Sequence, residues 1–142
     1  MLPQKVVEIG DKDFTITALS VADARQAYAR AHRVLVLAAE SVVASTGTGA
    51  VLFATFSGGL SEEDIDVLTK LFAPRTMVDF RDGSALPLTS KEAMDRAFSG
   101  ALEHLFEWLD ACLDVNFAGL MAKMSAAALK LEEAAAAKKT KG

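Results

Sequence analysis

The chain opens with two short runs rich in β-branched residues, Lys5-Val6-Val7-Glu8-Ile9 and Phe14-Thr15-Ile16-Thr17. Gly10-Asp11-Lys12-Asp13 separates them. A turn-type cluster between two such runs predicts a β-hairpin. The period of the apolar positions then changes. Ala24, Ala27, Tyr28, Ala31, Val34, Leu35, Ala38 and Val42 recur at three- and four-residue spacing, the stripe of one helix face. Ser20-Val21-Ala22-Asp23, just ahead, has the spacing of a capping box. Arg25, Arg30 and Arg33 decorate the other side. After Val34 the helix is apolar nearly all round, which predicts burial of that end. Gly47 and Gly49 end it. Ala50 to Phe56 reads as a further short apolar piece, helical and closed by Gly58-Gly59.

Ser61-Glu62-Glu63-Asp64 is a second capping box, with three acids in the first turn where the helix dipole favours them. Ile65, Leu68, Leu71 and Phe72 form the inner face of that helix, and Pro74 lies just past its end. Thr76 to Phe80, Arg81 to Ser84 and Ala85 to Leu88 predict a second hairpin, turned at Asp82-Gly83. Pro87 assigns its second strand to a sheet edge. Thr89-Ser90-Lys91-Glu92 is a third capping box, opening the most regular helix of the chain. Met94, Ala97, Phe98, Ala101, Leu102, Leu105, Phe106, Leu109, Cys112 and Leu113 give it a wide apolar face. Asp95, Glu103, Glu107, Asp110 and Asp114 give it an acidic one. Asn116-Phe117 predicts a break and a restart, after which Leu120, Met121, Met124, Ala128 and Leu131 mark a last amphipathic helix.

These elements predict an α+β chain, predominantly α-helical. It has an N-terminal β-hairpin, a helical bundle, a second short hairpin inserted mid-chain and long C-terminal helices. One domain is expected over residues 1–131. Residues 132–142 form a low-complexity charged tail that is helix-prone, has almost nothing to bury and is expected to fray.

Composition narrows the function. The chain has 142 residues, 51% of them apolar and 24% charged, enough to build one core. The formal net charge is −4, against the basic balance of a dedicated nucleic-acid binder. One cysteine excludes an internal disulfide framework, and two histidines leave little material for a metal site. The N-terminus lacks an apolar signal region, so a cytoplasmic location is expected. Val34 to Leu60 has the length of a membrane span, but Ser41, Ser45, Thr46, Gly47, Thr48 and Gly49 sit in its middle and no aromatic belt flanks it. A buried helical pair, or an apolar oligomer surface, is the expected reading.

The sequence carries little recognisable chemistry. Thr48-Gly49-Ala50 and Phe56-Ser57-Gly58-Gly59 match neither a P-loop nor a dinucleotide fingerprint. Gly58 to Ser61 does not form a hydrolase elbow. His32 and His104 lack neighbours at ligand spacing. Cys112 falls on the apolar stripe, where a small buried hydrophobe is expected. Glu62, Glu63, Asp64 and Asp66 are explained as a solvated helix start. No catalytic residue, cofactor or metal is expected, and the chain is not read as an enzyme. The candidates that remain are for partner binding. Glu103, Glu107 and Asp110 step along one helix face, either a solvated face or a docking surface for a basic partner helix. Trp108 reads as an interface anchor or as the rim of the core. Met121 and Met124 offer adaptable apolar contact.

The order of elements resembles that of the small tail assembly chaperones of long-tailed bacteriophages and prophages. The resemblance lies in Ile9-Gly10-Asp11-Lys12-Asp13-Phe14-Thr15-Ile16 leading into Leu19, in the Ser20-capped helix, in Leu105-Phe106-Glu107-Trp108-Leu109, and in Val115-Asn116-Phe117 opening the last helix. The second hairpin and the apolar stretch Val34 to Phe56 depart from a typical helical member. The resemblance implies a non-catalytic chaperone in the host cytoplasm, with no nucleic-acid or membrane partner. Its partners would be the long helical tape measure protein and the tail tube subunits that polymerise around it. A longer frameshifted form is common in that family, and Lys138-Lys139 is compatible with one. Homo-oligomers are a further expectation, since the apolar surplus fits an oligomer or client surface. The alternative expectation is a small structural subunit of a phage tail or head-completion complex.

Overall fold

The structure, a computed structural model, describes residues 2–44 and 60–140. Strands β1 (Gln4–Ile9) and β2 (Lys12–Thr17) form the expected hairpin with a tighter loop. Lys12 and Asp13 belong to the strand, and Gly10 and Asp11 alone make the turn. Gly10 holds φ at +64°, the left-handed backbone that the first position of such a turn requires and that glycine adopts without a Cβ clash.

Strand β3 (Thr76–Asp79) pairs antiparallel with β2, and β4 (Ala85–Pro87) pairs with β3. The result is one four-stranded sheet in the order β1-β2-β3-β4. The mid-chain hairpin is therefore not a separate insert among helices. It completes the sheet begun by the N-terminal hairpin, because the register sets Phe14 beside Val78 and so aligns the apolar face of each hairpin. Pro87 lies on the edge strand, where a missing N–H costs no ladder bond.

Alternation along the strands divides the sheet into two faces. Phe14, Ile16 and Val78 are buried on one. Val6, Thr15, Met77 and Pro87 line up across the other, with Val6 63% and Met77 44% exposed. Beside that row, the Arg81 guanidinium bonds the carboxylates of Glu8 and Asp13 and holds the tip of the β3–β4 loop against the first hairpin.

Four helices complete the described residues: α1 (Val21–Ala44), α2 (Glu62–Phe72), α3 (Lys91–Phe98) and α4 (Leu102–Thr140). A short 3₁₀ turn, Ala73–Arg75, joins α2 to β3. Their starts follow the capping signals with one shift. Ser61 and Asp64 form the full reciprocal box, with bonds of 3.1 and 3.2 Å. The Ser20 hydroxyl accepts the Asp23 N–H at 3.3 Å. For α3 the cap is Ser90 rather than Thr89, and its hydroxyl accepts the Ala93 N–H. The Ser90 N–H is already committed to the Pro87 carbonyl, which closes the turn after β4 and fixes where the helix can begin.

The long C-terminal helices differ from expectation in where they divide. The helix predicted to run on from Lys91 stops at Phe98, and Gly100 takes φ of +76° in the reversal that follows. Asn116-Phe117, the expected break, lies inside an unbroken α4 of 39 residues, about 58 Å long at the usual rise. Asn116 does not break the helix because its side chain is used twice. Its Nδ2 donates to the Cys112 carbonyl one turn back, and its Oδ1 accepts the Leu19 N–H, each at 2.8 Å. The side chain thus ties α4 to the segment entering α1. The low-complexity tail continues α4 as helix to Thr140.

The helices cover one face of the sheet. Trp108, Leu109 and Cys112 of α4, Leu35 of α1, and Leu68 and Phe72 of α2 pack with Phe14, Ile16, Val78 and Leu88 into a single core. Phe98 stacks on Phe14 at 5.8 Å between ring centroids and tilts against Trp108 at 5.7 Å. Burying each large side chain of this set contributes about 1.5–3 kcal/mol. No helix among the described residues is long and apolar enough to cross a membrane. The loop and helical piece expected between Ser45 and Gly59 lie outside the described residues.

Candidate interaction surface

Trp108 belongs to the core, not to the surface. Its side chain has no exposed area, and its Nε1–H donates to the Thr76 hydroxyl at 3.1 Å. Thr76 in turn donates to the Phe72 carbonyl at 3.1 Å. The tryptophan therefore has a buried partner for its one polar atom, as a buried indole requires. The apolar stripe of α4 is wider than the sequence suggested: Trp108 stands one turn from Leu105 and one from Cys112 and shares their face. As a core residue it offers nothing to a partner.

The acidic candidates lie elsewhere on α4. Glu103 is exposed, and Glu107 and Asp110 are half-buried. Asp114 follows Asp110 by one turn, and its Oδ2 meets the Lys5 Nζ at 3.1 Å. Lys5 comes from β1, an edge strand, and reaches α4 from the helix-covered side of the sheet. Asp110 accepts no hydrogen bond and makes no ion pair among the described residues. Burial, and then the nearby Asp114 charge, push its carboxyl up to about 6, with Lys5 partly opposing them. A partly desolvated carboxylate without a partner weakens the fold.

Met121 and Met124 are half-buried, and Leu120 beside them is 39% exposed. Phe117, one turn earlier, is buried and tilts against Tyr28 of α1 at 6.2 Å, and Tyr28 also meets His32 at 6.0 Å. Phe117 thus anchors the point at which the buried face of α4 gives way to half-exposed methionines.

Continuity of α4 joins these candidates. Glu103, Glu107, Asp110, Asp114, Phe117, Met121 and Met124 follow one another in alternating steps of four and three residues. On an unbroken helix that spacing makes one stripe. Its first half is acidic and its second half apolar. The sequence held every residue of the stripe. Its unity was hidden by reading Asn116 as a helix break, which placed the two halves on separate helices.

The remaining candidates are structural. Cys112 is fully buried, and burial raises its thiol well above the ordinary value, so the reactive thiolate is disfavoured. The His104 ring packs against the β1–β2 turn. A Cβ added at Gly10 would approach its Cε1 to 2.9 Å. The Arg96 guanidinium bonds Asp82 at 2.6 Å and lies 4.0 Å over the Phe80 ring, bracing the β3–β4 loop. Among the described residues, no three His, Cys, Asp or Glu side chains gather as a metal site would need. Glu62, Glu63 and Asp64 sit at the start of α2, where Glu63 and Asp64 each meet Arg30 of α1 at 3.4 Å.

No family model, curated protein or solved structure matches the chain. A half-acidic, half-apolar stripe along one helix is suited to binding another protein chain.

Proposed function

We propose that the protein is a non-catalytic assembly chaperone. It binds a long helical client, the tape measure protein of a long-tailed phage or prophage, and helps tail tube subunits polymerise around it. The observation that carries this reading is the single stripe on α4. A chaperone for a helical client needs an apolar track bordered by charge, and it needs no chemistry. The thioethers of Met121 and Met124 suit a client with many similar segments, since methionine repacks against different neighbours at little cost. The hairpin leading through Leu19 into a Ser20-capped helix supports the same reading through its family resemblance.

Affinity capture from phage-producing cells tests it. The tagged protein is expected to recover one very long, helix-rich protein together with tube subunits, and to be absent from finished particles. Recovery of no long client, with the chain found in finished particles, would instead make it a structural subunit of the tail or head-completion complex.

A further inference from the structure

We infer that the stripe on α4 is a docking track for an amphipathic client helix whose apolar stripe ends in lysine or arginine, the basic end lying beside Glu103 to Asp114 and the apolar end beside Met121 and Met124. This inference rests on the reading of the protein as a chaperone for a helical client, and it names the client segment that the protein takes.

Charge complementarity argues for that occupant. Leu102 to Phe117 contains four carboxylates on the stripe and no lysine or arginine at all. The one cation that reaches the stripe among the described residues is Lys5, and it sits at Asp114, next to the apolar half. Glu103 and Glu107 make no ion pair there, and Asp110 feels Lys5 only at a distance, without a bond to it. Asp110 is the sharpest case, being half-buried with no hydrogen bond to its carboxylate. A guanidinium or ammonium group from a partner would supply the missing donor in a partly desolvated setting, where such a bond is stronger than at an open surface. The apolar half has complementary needs. Leu120, Met121 and Met124 are large side chains left partly in water on a helix that has already passed its last buried position among the described side chains, Phe117.

A second copy of the chain is a poorer occupant. A parallel copy in register would set four acids against four acids. An antiparallel copy centred on the stripe would set the acids of each chain against the methionine half of the other. Both arrangements leave the carboxylates unpaired.

The test uses the full chain and synthetic helical peptides of about three heptads, with leucine at heptad spacing. One peptide ends in lysines and its counterpart in glutamates. Fluorescence anisotropy of the labelled peptides is expected to show the lysine-ended one binding about tenfold tighter or better. That preference should shrink as salt is raised. Glu103→Lys with Glu107→Lys should abolish the preference, while Met124→Asp should weaken both peptides. Circular dichroism confirms that each variant keeps its helix. Equal binding of the two peptides, or binding of neither, overturns the inference. Sedimentation showing that the chain self-associates through the stripe, with the association lost in Glu103→Lys/Glu107→Lys, overturns it as well.

Client capture separates this inference from the reading beneath it. If the charge-reversed variant captures the long client as well as the wild type does, the docking track is wrong and the chaperone reading stands. If the peptides discriminate but no client is captured, the chaperone reading falls and the docking surface stands.

Discussion

Burial of the Asp110 carboxyl, with the Asp114 charge nearby, weakens the fold at neutral pH. Its carboxyl is pushed up to about 6 in the folded chain from an ordinary 3.8, so the folded state holds the proton more tightly than the unfolded one. The stability it contributes is present below about pH 4 and lost as pH rises through 6. Between pH 7 and pH 5, acidification should therefore stabilise the protein through this residue. Asp110→Asn should be more stable than wild type at pH 7 by about 1 kcal/mol, a figure reduced for the part of the carboxyl that water still screens. It should also lose most of the stability change between pH 7 and pH 5. Urea unfolding of both proteins at the two pH values checks this, and an unchanged pH dependence in the variant would contradict it.

Trp108 carries a second prediction at the same scale. It is the one tryptophan of the chain, and it is fully buried. Its emission should be blue-shifted and protected from iodide quenching in the free protein, and partner binding should leave it nearly unchanged. Trp108→Ala should cost about 3–5 kcal/mol, as large core truncations do. Emission near that of free tryptophan would place the ring at the surface. The sequence left this residue open because it flanks Glu107 and lies off the centre of a narrowly drawn stripe. The acceptor that lets its N–H be buried without penalty is Thr76, 32 residues away, and no local pattern announces that pairing.

The decisive element is α4. Its N-terminal boundary is set by Gly100, whose positive φ turns the chain between α3 and α4. That glycine is masked in the sequence because the apolar period runs through it unchanged from Phe98 to Leu102. The local pattern points instead to a break at Asn116, a residue type that favours helix ends. The structure reverses both assignments: the positive φ of Gly100 turns the chain between α3 and α4, and Asn116 stays inside α4 because the Cys112 carbonyl and the Leu19 N–H satisfy its side chain. Asn116→Ala removes the acceptor for the Leu19 N–H and leaves a part-buried donor unmatched, which should cost about 1–3 kcal/mol. Asn116→Asp keeps the acceptor and should cost less. Chemical denaturation of the two variants measures the order, and an alanine variant as stable as wild type would show that the α1–α4 tie contributes nothing. Because α4 is continuous, an acidic face and a methionine face that looked like two features become one track.

For the molecule as a whole, the α+β character, both hairpins, the Ser20 and Ser61 helix starts, the third start to within one residue, and the edge placement of Pro87 were legible in the sequence. Each of these rests on short-range chemistry: turn residues, caps, and the switch of apolar period from two to three or four. The joining of the two hairpins into one sheet was not legible. It depends on pairing across 58 intervening residues between Thr17 and Thr76, a matter of register and shared core that local pattern does not carry. The sheet matters to the site because it gives α4 a rigid floor. Trp108, Leu109 and Cys112 hold the acidic half of the helix against the sheet, and that footing fixes the direction in which the stripe faces.

If one continuous stripe on α4 takes a helical client, as proposed, that binding must fail when the methionine half is made polar. The most direct measurement compares client capture from phage-producing cells by wild-type protein and by Met121→Ser/Met124→Ser, with circular dichroism showing both to be folded. Wild type is expected to recover one very long helical protein, and the double variant little of it. Equal recovery by the two proteins would show that the methionine half of the stripe does not bind the client.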